Sequence, residues 1–155
     1  DLNLELLSNT AQNVFASLFL GFIDKSSKKL YTVSAGHITQ YIVKDSGFVP
    51  LESTGPILGV FEDSTYTCTV NQLEPGDKVL LFTDGIIEAS SNSDDEIADN
   101  NQIFGSENLL KILESCKNES LSTLIDKTMK AVKDFSKNTC IDDMTILGIE
   151  VSKEI

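Results

Sequence analysis

The sequence contains no arginine, and His37 is its only histidine. A lone histidine excludes a zinc site built from several histidines. The absence of arginine also excludes the planar, bidentate grip that a guanidinium group places on phosphate. Any phosphate chemistry in this chain must therefore depend on lysine, on backbone N–H groups or on a bound metal ion.

Positive charge is scarce altogether, because 12 lysines face 24 aspartates and glutamates and leave a formal net charge of −12. So acidic a surface repels nucleic-acid backbones and anionic lipid headgroups. No apolar run approaches the roughly 18 residues that span a bilayer, and no basic-then-apolar signal sequence opens the chain. We therefore expect this segment to contact neither nucleic acid nor a membrane.

Cysteine is also sparse: Cys68, Cys116 and Cys140 are widely spaced, and there is no Cys-x-x-Cys pair. An odd number without such a pair argues against a disulfide framework and against a thiolate metal site. We expect three reduced, buried thiols that pack as small apolar side chains. Reduced thiols favour a reducing compartment, so we expect a cytoplasmic protein.

What the sequence does contain is a series of strands, then two amphipathic helices and a last strand. A length of 155 residues suits one domain, so we expect a single domain over 1–155. Strands grouped before helices indicate an α+β layer fold with antiparallel pairing. The predicted elements are a helix over 2–7, a strand buried on both faces over 14–23, strands over 30–34, 38–43, 65–70, 78–83 and 144–151, a polar loop over 90–102, a helix with Ser106 as its N-cap, and a helix over 121–135.

Two acidic positions stand out because each lies at the end of a predicted buried strand. Asp84 ends the strand over 78–83 and precedes Gly85, while Asp142 precedes the strand over 144–151. If the two strands are neighbours, both carboxylates lie at one rim of the sheet. Carboxylates brought together repel each other unless a cation is bound, and Mg²⁺ or Mn²⁺ prefers oxygen ligands. Metal-bound water is a nucleophile suited to attack on phosphorus.

Other interpretations of these residues stay open at this point. In so acidic a chain an Asp-Gly pair often only forms a turn. A calcium-binding loop of the EF-hand type over 99–105 is disfavoured, because Ile103 stands where an oxygen ligand is required. A Ser–His–Asp or Cys–His arrangement around His37 lacks a supporting nucleophile-elbow glycine pattern.

Several short motifs occur in a fixed order along the chain. They are Phe-Ala-Ser-Leu-Phe at 15–19, Ser-Ala-Gly-His at 34–37, Gly-Pro-Ile-Leu-Gly at 55–59, Leu-Glu-Pro-Gly-Asp at 73–77, Phe-Thr-Asp-Gly-Ile-Ile-Glu-Ala at 82–89, Phe-Gly at 104–105 and Asp-Asp-Met-Thr-Ile-Leu at 142–147. From about residue 3 onward, the chain resembles the later part of a bacterial SpoIIE/RsbU-type serine phosphatase domain. That family is a branch of the PPM (protein phosphatase 2C-like) superfamily.

The resemblance implies a PPM-type β-sandwich with flanking helices, in αββα layers, and a site for two Mn²⁺ or Mg²⁺ ions. It implies that Asp84 and Asp142 are metal ligands that act through metal-bound water, and that Gly85 makes room for the ion. Asp143 matches a position beside the ligands, and Gly36–His37 matches a turn at the rim of the site. The implied reaction is hydrolysis of phosphoserine or phosphothreonine on a partner protein that resembles an anti-sigma-factor antagonist.

The chain departs from the family in one respect. Members carry an earlier Gly-Asp motif, whose aspartate bridges both metals, and a Gly-Asp-Val-Ser-Gly-like motif after it, and neither occurs here. We therefore expect a domain truncated on its N-terminal side, as the first residue, Asp1, also suggests, with little or no turnover on its own. Unpaired sheet edges favour a homodimer. The alternative is a non-catalytic regulatory or protein-binding module that keeps the fold without a complete metal site.

Overall fold

The structure is a computed structural model that describes residues 1–11, 14–91, 102–137 and 142–152. These residues form two compact units. The first comprises Asp1–Gln40 with Pro50–Pro75, and the second comprises Tyr41–Val49 with Gly76–Ile155. Helices and antiparallel strand pairs make up both, so the predicted α+β class is confirmed.

The first unit contains helix α1 and a three-stranded antiparallel sheet. Helix α1 covers Leu2–Asn9, with Asp1 as its N-cap. The sheet has the order β1-β2-β5, and a turn in which the Asp24 carboxylate accepts hydrogen bonds from Ser26 and Ser27 joins β1 to β2. The strands are β1, Leu18–Asp24, β2, Lys29–Ala35, and β5, Thr69–Gln72.

The prediction that 14–23 forms a strand buried on both faces is wrong in two respects. Strand β1 begins only at Leu18. Leu20 and Phe22 are 60% and 65% exposed. Alternate residues of a strand face opposite sides of its sheet, and an apolar run does not reveal whether a second layer covers each side.

The second unit is centred on a four-stranded antiparallel sheet with the order β4-β3-β6-β9. Strand β6 enters the core, with Val79, Leu80 and Phe82 buried, and it pairs with β9 in the register Phe82↔Ile146. The strands are β3, Gln40–Lys44, β4, Gly47–Leu51, β6, Lys78–Phe82, and β9, Ile146–Glu150.

Two amphipathic helices complete the second unit: α2, Gly105–Cys116, and α3, Leu121–Phe135. Helix α3 has the predicted bounds, and the Ser120 hydroxyl caps it by accepting a bond from the Thr123 amide at 3.2 Å. Helix α3 lies against β9, where a Cβ at Gly148 would come within 2.6 Å of a Leu121 methyl carbon. The prediction that Ser106 is the N-cap of α2 is wrong by two residues, because the N-cap is Phe104 and the helix begins at Gly105.

The remaining predictions concern strand ends, loops and cysteines. Strand β5 begins at Thr69 rather than at residue 65, and β4 was not predicted. The ends of the predicted loop over 90–102 pair as β7, Ser90–Ser91, and β8, Gln102–Ile103, while its middle lies outside the described residues. Cys116 is buried as expected, Cys68 is exposed, and Cys140 lies outside the described residues. Among the helices of the described part, none is long and apolar enough to cross a membrane.

Candidate metal-binding site

Asp84 lies directly beyond the end of β6, where the chain leaves the sheet. It opens a single 3-10 turn, Asp84–Ile86, and its carbonyl accepts hydrogen bonds from the amides of Ile87 and Glu88, both at 2.9 Å. Ile86 is fully buried and anchors the turn in the core. The Asp84 side chain is exposed, and its Oδ1 accepts a hydrogen bond from the Gly85 amide at 3.1 Å.

The pairing of β6 with β9 brings the second acidic segment to the same place. Strand β6 runs toward Asp84, and β9 runs away from Asp142, so antiparallel pairing places these two ends together. One further backbone bond, from the Thr83 amide to the Thr145 carbonyl at 3.1 Å, extends the pairing beyond the strands. The prediction that the two strands are neighbours is thus confirmed.

Gly85 packs directly against the backbone of the Asp142–Asp143 segment. A Cβ at Gly85 would lie 2.7 Å from the Asp143 carbonyl oxygen and 3.3 Å from the Asp142 carbonyl carbon. Real Cβ atoms essentially never approach heavy atoms within 3.0 Å. Only glycine therefore allows the turn that carries Asp84 to touch the segment that carries Asp142.

Asp142 and Asp143 are both exposed, in the last residues before β9. The Asp142 Oδ1 accepts a hydrogen bond from the Asp143 amide at 2.8 Å, as the Asp84 Oδ1 does from the Gly85 amide. Each carboxylate is thus oriented by the amide of the residue that follows it. The structure brings together the backbone segments that carry four of the predicted site residues, namely Asp84, Gly85, Asp142 and Asp143.

The other two predicted residues, Gly36 and His37, belong to the first unit. Gly36 has a φ of +63°, and its amide donates to the Gly55 carbonyl and to the Ser53 hydroxyl, both at 3.0 Å. His37 Nδ1 lies 3.0 Å from the Ser17 hydroxyl oxygen. Gly36 and His37 therefore occupy a hydrogen-bonded turn next to β2.

The donor atoms of the second unit fit a hard divalent cation in kind. Asp84 and Asp142 supply carboxylate oxygens of the type that Mg²⁺ and Mn²⁺ prefer. Because Gly85 has no Cβ, the backbone next to Asp84 packs closely against the backbone of Asp142 and Asp143. Within the described ranges, however, no group of three or more histidine, cysteine, aspartate or glutamate side chains is positioned to hold a metal. The described residues thus offer oxygen donors of the right kind, and by themselves they do not complete a metal site.

Thr83, which is not among the predicted site residues, links the two acidic segments. Its hydroxyl donates to the Asp143 carbonyl at 2.7 Å and accepts from the Thr145 amide at 3.0 Å. Both threonines belong to motifs that the sequence displays, Thr-Asp-Gly and Asp-Asp-Met-Thr. Their contact depends on the strand register, and the motifs alone do not give that register.

Comparison with known proteins places these features in a family. Residues 1–152 match the family model described as stage II sporulation protein E (SpoIIE). The phosphoserine phosphatase RsbU of Bacillus subtilis is 28% identical over 153 residues, which are 95% of this chain and 42% of RsbU. The chain spans less than half the length of the curated relatives that it matches.

Two solved structures share the fold. The SiaA-PP2C domain of Pseudomonas aeruginosa has a TM-score of 0.77 at 17% identity, covering 94% of this chain and 56% of that one. The phosphatase domain of SpoIIE from Bacillus subtilis, presoaked with Mn, has a TM-score of 0.70 at 17% identity, covering 96% and 63%. At this low identity, the two likenesses show a common PP2C-like fold.

Proposed function

Because the chain belongs to the stage II sporulation protein E (SpoIIE) family, we propose that it forms part of a metal-dependent serine/threonine phosphatase. The observation that carries the proposal is the contact between Gly85 and the Asp142–Asp143 segment, which brings two acidic chain segments to one end of the β6–β9 pair. The similarity to RsbU, which is named a phosphoserine phosphatase, supports phosphate-ester hydrolysis as the reaction.

In this proposal Asp84 and Asp142 hold a Mn²⁺ or Mg²⁺ ion through their exposed carboxylates. When bound, such an ion polarises a phosphoryl oxygen and lowers the pKa of a coordinated water. The chain's contribution is to hold both carboxylates in place: the amides of Gly85 and Asp143 orient them, at 3.1 Å and 2.8 Å. We assign Asp143 a place beside the ion, and the role that the family resemblance implies for Gly36–His37 stays a prediction. In a complete domain the site holds two ions.

Electrostatics explains why a cation is needed at this place. A phosphate monoester is anionic, and it would meet two exposed aspartates on a chain with a net charge of −12. Repulsion between the negative phosphate and the two negative carboxylates opposes phosphate binding. A divalent cation between the carboxylates reverses the local sign, so phosphate binding and metal binding are coupled at this site.

The substrate that we propose is a phosphoserine or phosphothreonine on a cytoplasmic partner protein of the anti-sigma-antagonist type. The Asp84 and Asp142 side chains are exposed, which a phosphate carried on a folded protein requires. Homodimerisation stays a prediction.

One observation favours a second candidate, a non-catalytic protein-binding module. In the part of the chain that the structure describes, no three metal-ligating side chains cluster. A module that keeps the fold and binds a partner without metal would be consistent with this. The two candidates differ in whether a divalent ion binds at Asp84.

The test is hydrolysis of p-nitrophenyl phosphate by the native protein that contains these residues. We expect turnover only with added Mn²⁺ or Mg²⁺, and we expect Asp84→Asn to lower it by at least about 100-fold, because one ligand charge is lost. The matched control is Asp126→Asn, an exposed aspartate on helix α3. Turnover that survives both chelation and Asp84→Asn would contradict the proposal, and the 155-residue chain alone should show little or none.

A further inference from the structure

Thr83 lies between the end of β6 and Asp84, and its side chain makes two hydrogen bonds to the segment that precedes β9. Its hydroxyl donates to the Asp143 carbonyl at 2.7 Å and accepts from the Thr145 amide at 3.0 Å. A hydroxyl has one donor hydrogen and accepts through its lone pairs. The Thr83 hydroxyl thus uses its donor hydrogen and one acceptor site for hydrogen bonds to the segment that follows Asp142.

These bonds lie where the regular sheet has ended. The register of β6 and β9 ends at Phe82↔Ile146, and the Thr83 amide makes one further backbone bond to the Thr145 carbonyl. Beyond that bond, the Thr83 hydroxyl supplies the partner for the Asp143 carbonyl. Threonine is β-branched and has restricted χ1 freedom, so its hydroxyl is held in place more firmly than that of serine.

The same carbonyl oxygen meets Gly85. The Asp143 oxygen accepts the Thr83 hydroxyl bond and lies 2.7 Å from the point where a Gly85 Cβ would stand. The Thr83 hydrogen bond holds the Asp142–Asp143 segment close to the end of β6, and Gly85 permits this distance because it has no Cβ. Both contacts therefore act on the Asp143 carbonyl, in the residue that follows Asp142.

We propose that Thr83 is a positioning residue whose hydroxyl sets the affinity of the Asp84–Asp142 site for a divalent cation. This inference rests on the proposed function, since it takes these two aspartates as ligands. Residues that orient metal ligands from outside typically change metal affinity by about 10–100-fold when replaced. Thr83 touches neither substrate nor ion in this proposal and acts only through Asp142–Asp143.

Two replacements isolate the hydroxyl from the rest of the side chain. Thr83→Ala removes it, and Thr83→Ser restores it on an otherwise similar small residue. The matched control is Thr128→Ala in helix α3, because the Thr128 hydroxyl also donates to a backbone carbonyl, that of Leu124, at 2.8 Å. Should Thr83→Ala fail to fold, Thr83→Val, which keeps the β-branched shape, takes its place.

The experiment follows Mn²⁺ binding to the ¹⁵N-labelled chain by paramagnetic broadening of the Gly85 and Asp143 amide signals. It needs no catalytic turnover. We expect broadening in the unsubstituted chain, and its loss in Asp84→Asn. We expect Thr83→Ala to require at least about tenfold more Mn²⁺, with Thr83→Ser and Thr128→Ala within about twofold of the unsubstituted chain. Hydrogen exchange of the Thr145 amide should accelerate in Thr83→Ala and not in Thr83→Ser.

The possible failures are distinguishable. If the unsubstituted chain shows no selective broadening, or if Asp84→Asn keeps it, the proposed function fails and this inference falls with it. If those two results are as expected but Thr83→Ala binds Mn²⁺ like the unsubstituted chain, only the role of Thr83 is overturned. Equal losses in Thr83→Ala and Thr128→Ala would likewise overturn it, because general destabilisation would then account for both.

Discussion

Replacing Gly85 by alanine adds one methyl group at the point where the two acidic segments touch. The new Cβ would lie 2.7 Å from the Asp143 carbonyl oxygen, which must retreat to about 3.4 Å to reach an ordinary contact. That movement stretches the hydrogen bond of 2.7 Å that the same oxygen accepts from the Thr83 hydroxyl. Gly85 has no positive φ, so the effect of the replacement is steric.

The cost has two parts. Forcing an extra carbon into a packed site costs about 1–3 kcal/mol. Weakening one hydrogen bond adds about 0.5–1.5 kcal/mol. We therefore expect Gly85→Ala to lower the free energy of unfolding by about 2–4 kcal/mol, and to lower Mn²⁺ affinity by at least about tenfold, because Asp142 moves with its backbone.

Urea unfolding and a Mn²⁺ titration measure the two effects on the same protein samples. The control is Gly21→Ala, because a Cβ at Gly21 would meet its nearest atoms at 3.6 Å and 3.7 Å, which are ordinary contacts. We expect this control to be neutral or slightly stabilising. If Gly85→Ala unfolds and binds Mn²⁺ like Gly21→Ala, close packing against Asp143 does not hold the site together.

Two further predictions concern the first unit. Hydrogen bonds from Ser26 and Ser27 lower the pKa of Asp24 to about 2 from its usual 3.8, so the contribution of this carboxylate to stability is present above about pH 4 and is lost as the pH falls toward 2. We expect an NMR titration of the Asp24 carboxyl group to show the lowered pKa, and a normal pKa would contradict this prediction. The Asp24→Asn variant should lack this part of the acid dependence of stability. The Asn3 side chain is buried, donates to the Phe61 carbonyl at 2.8 Å and accepts from the Gly59 amide at 2.9 Å, so Asn3→Ala should cost about 2–4 kcal/mol in thermal or urea unfolding. Asn9→Ala, at an exposed position on the same helix, should cost less than about 1 kcal/mol, and equal losses in the two variants would contradict this assignment.

The sequence predicted best where a local signal was complete. Helix α3 has a capping Ser120 and apolar residues on one face, and its bounds are as predicted. Strand β1 was predicted too long and too buried, because Leu20 and Phe22 are apolar whether or not a layer covers them. Burial depends on what the rest of the molecule supplies, and a run of residues does not contain that information.

The same distinction applies to the candidate site. Asp84 and Asp142 stand out in the sequence because each flanks a strand, and strand order suffices to bring the two strand ends together. Thr83 does not stand out, because its contacts exist only once residue 83 faces residue 145 across the sheet. Gly85 was expected to make room for an ion, whereas the contact that the structure describes is with the Asp143 carbonyl. The meeting of the two strand ends was thus predictable, and the packing between them was not.

The absence of arginine bears on how this site can bind phosphate. Several lysines of the second unit are engaged with its own acids: Lys44 with Asp77 at 2.6 Å, Lys127 with Glu119 at 2.6 Å and Lys130 with Asp134 at 3.2 Å. Lys78 is buried and donates to the Lys117 carbonyl at 2.8 Å. A lysine already paired in this way must give up its partner before it can bind a phosphate. In the proposed function the positive charge at Asp84 and Asp142 comes from a divalent cation, and metal dependence is therefore the property of this chain to measure first.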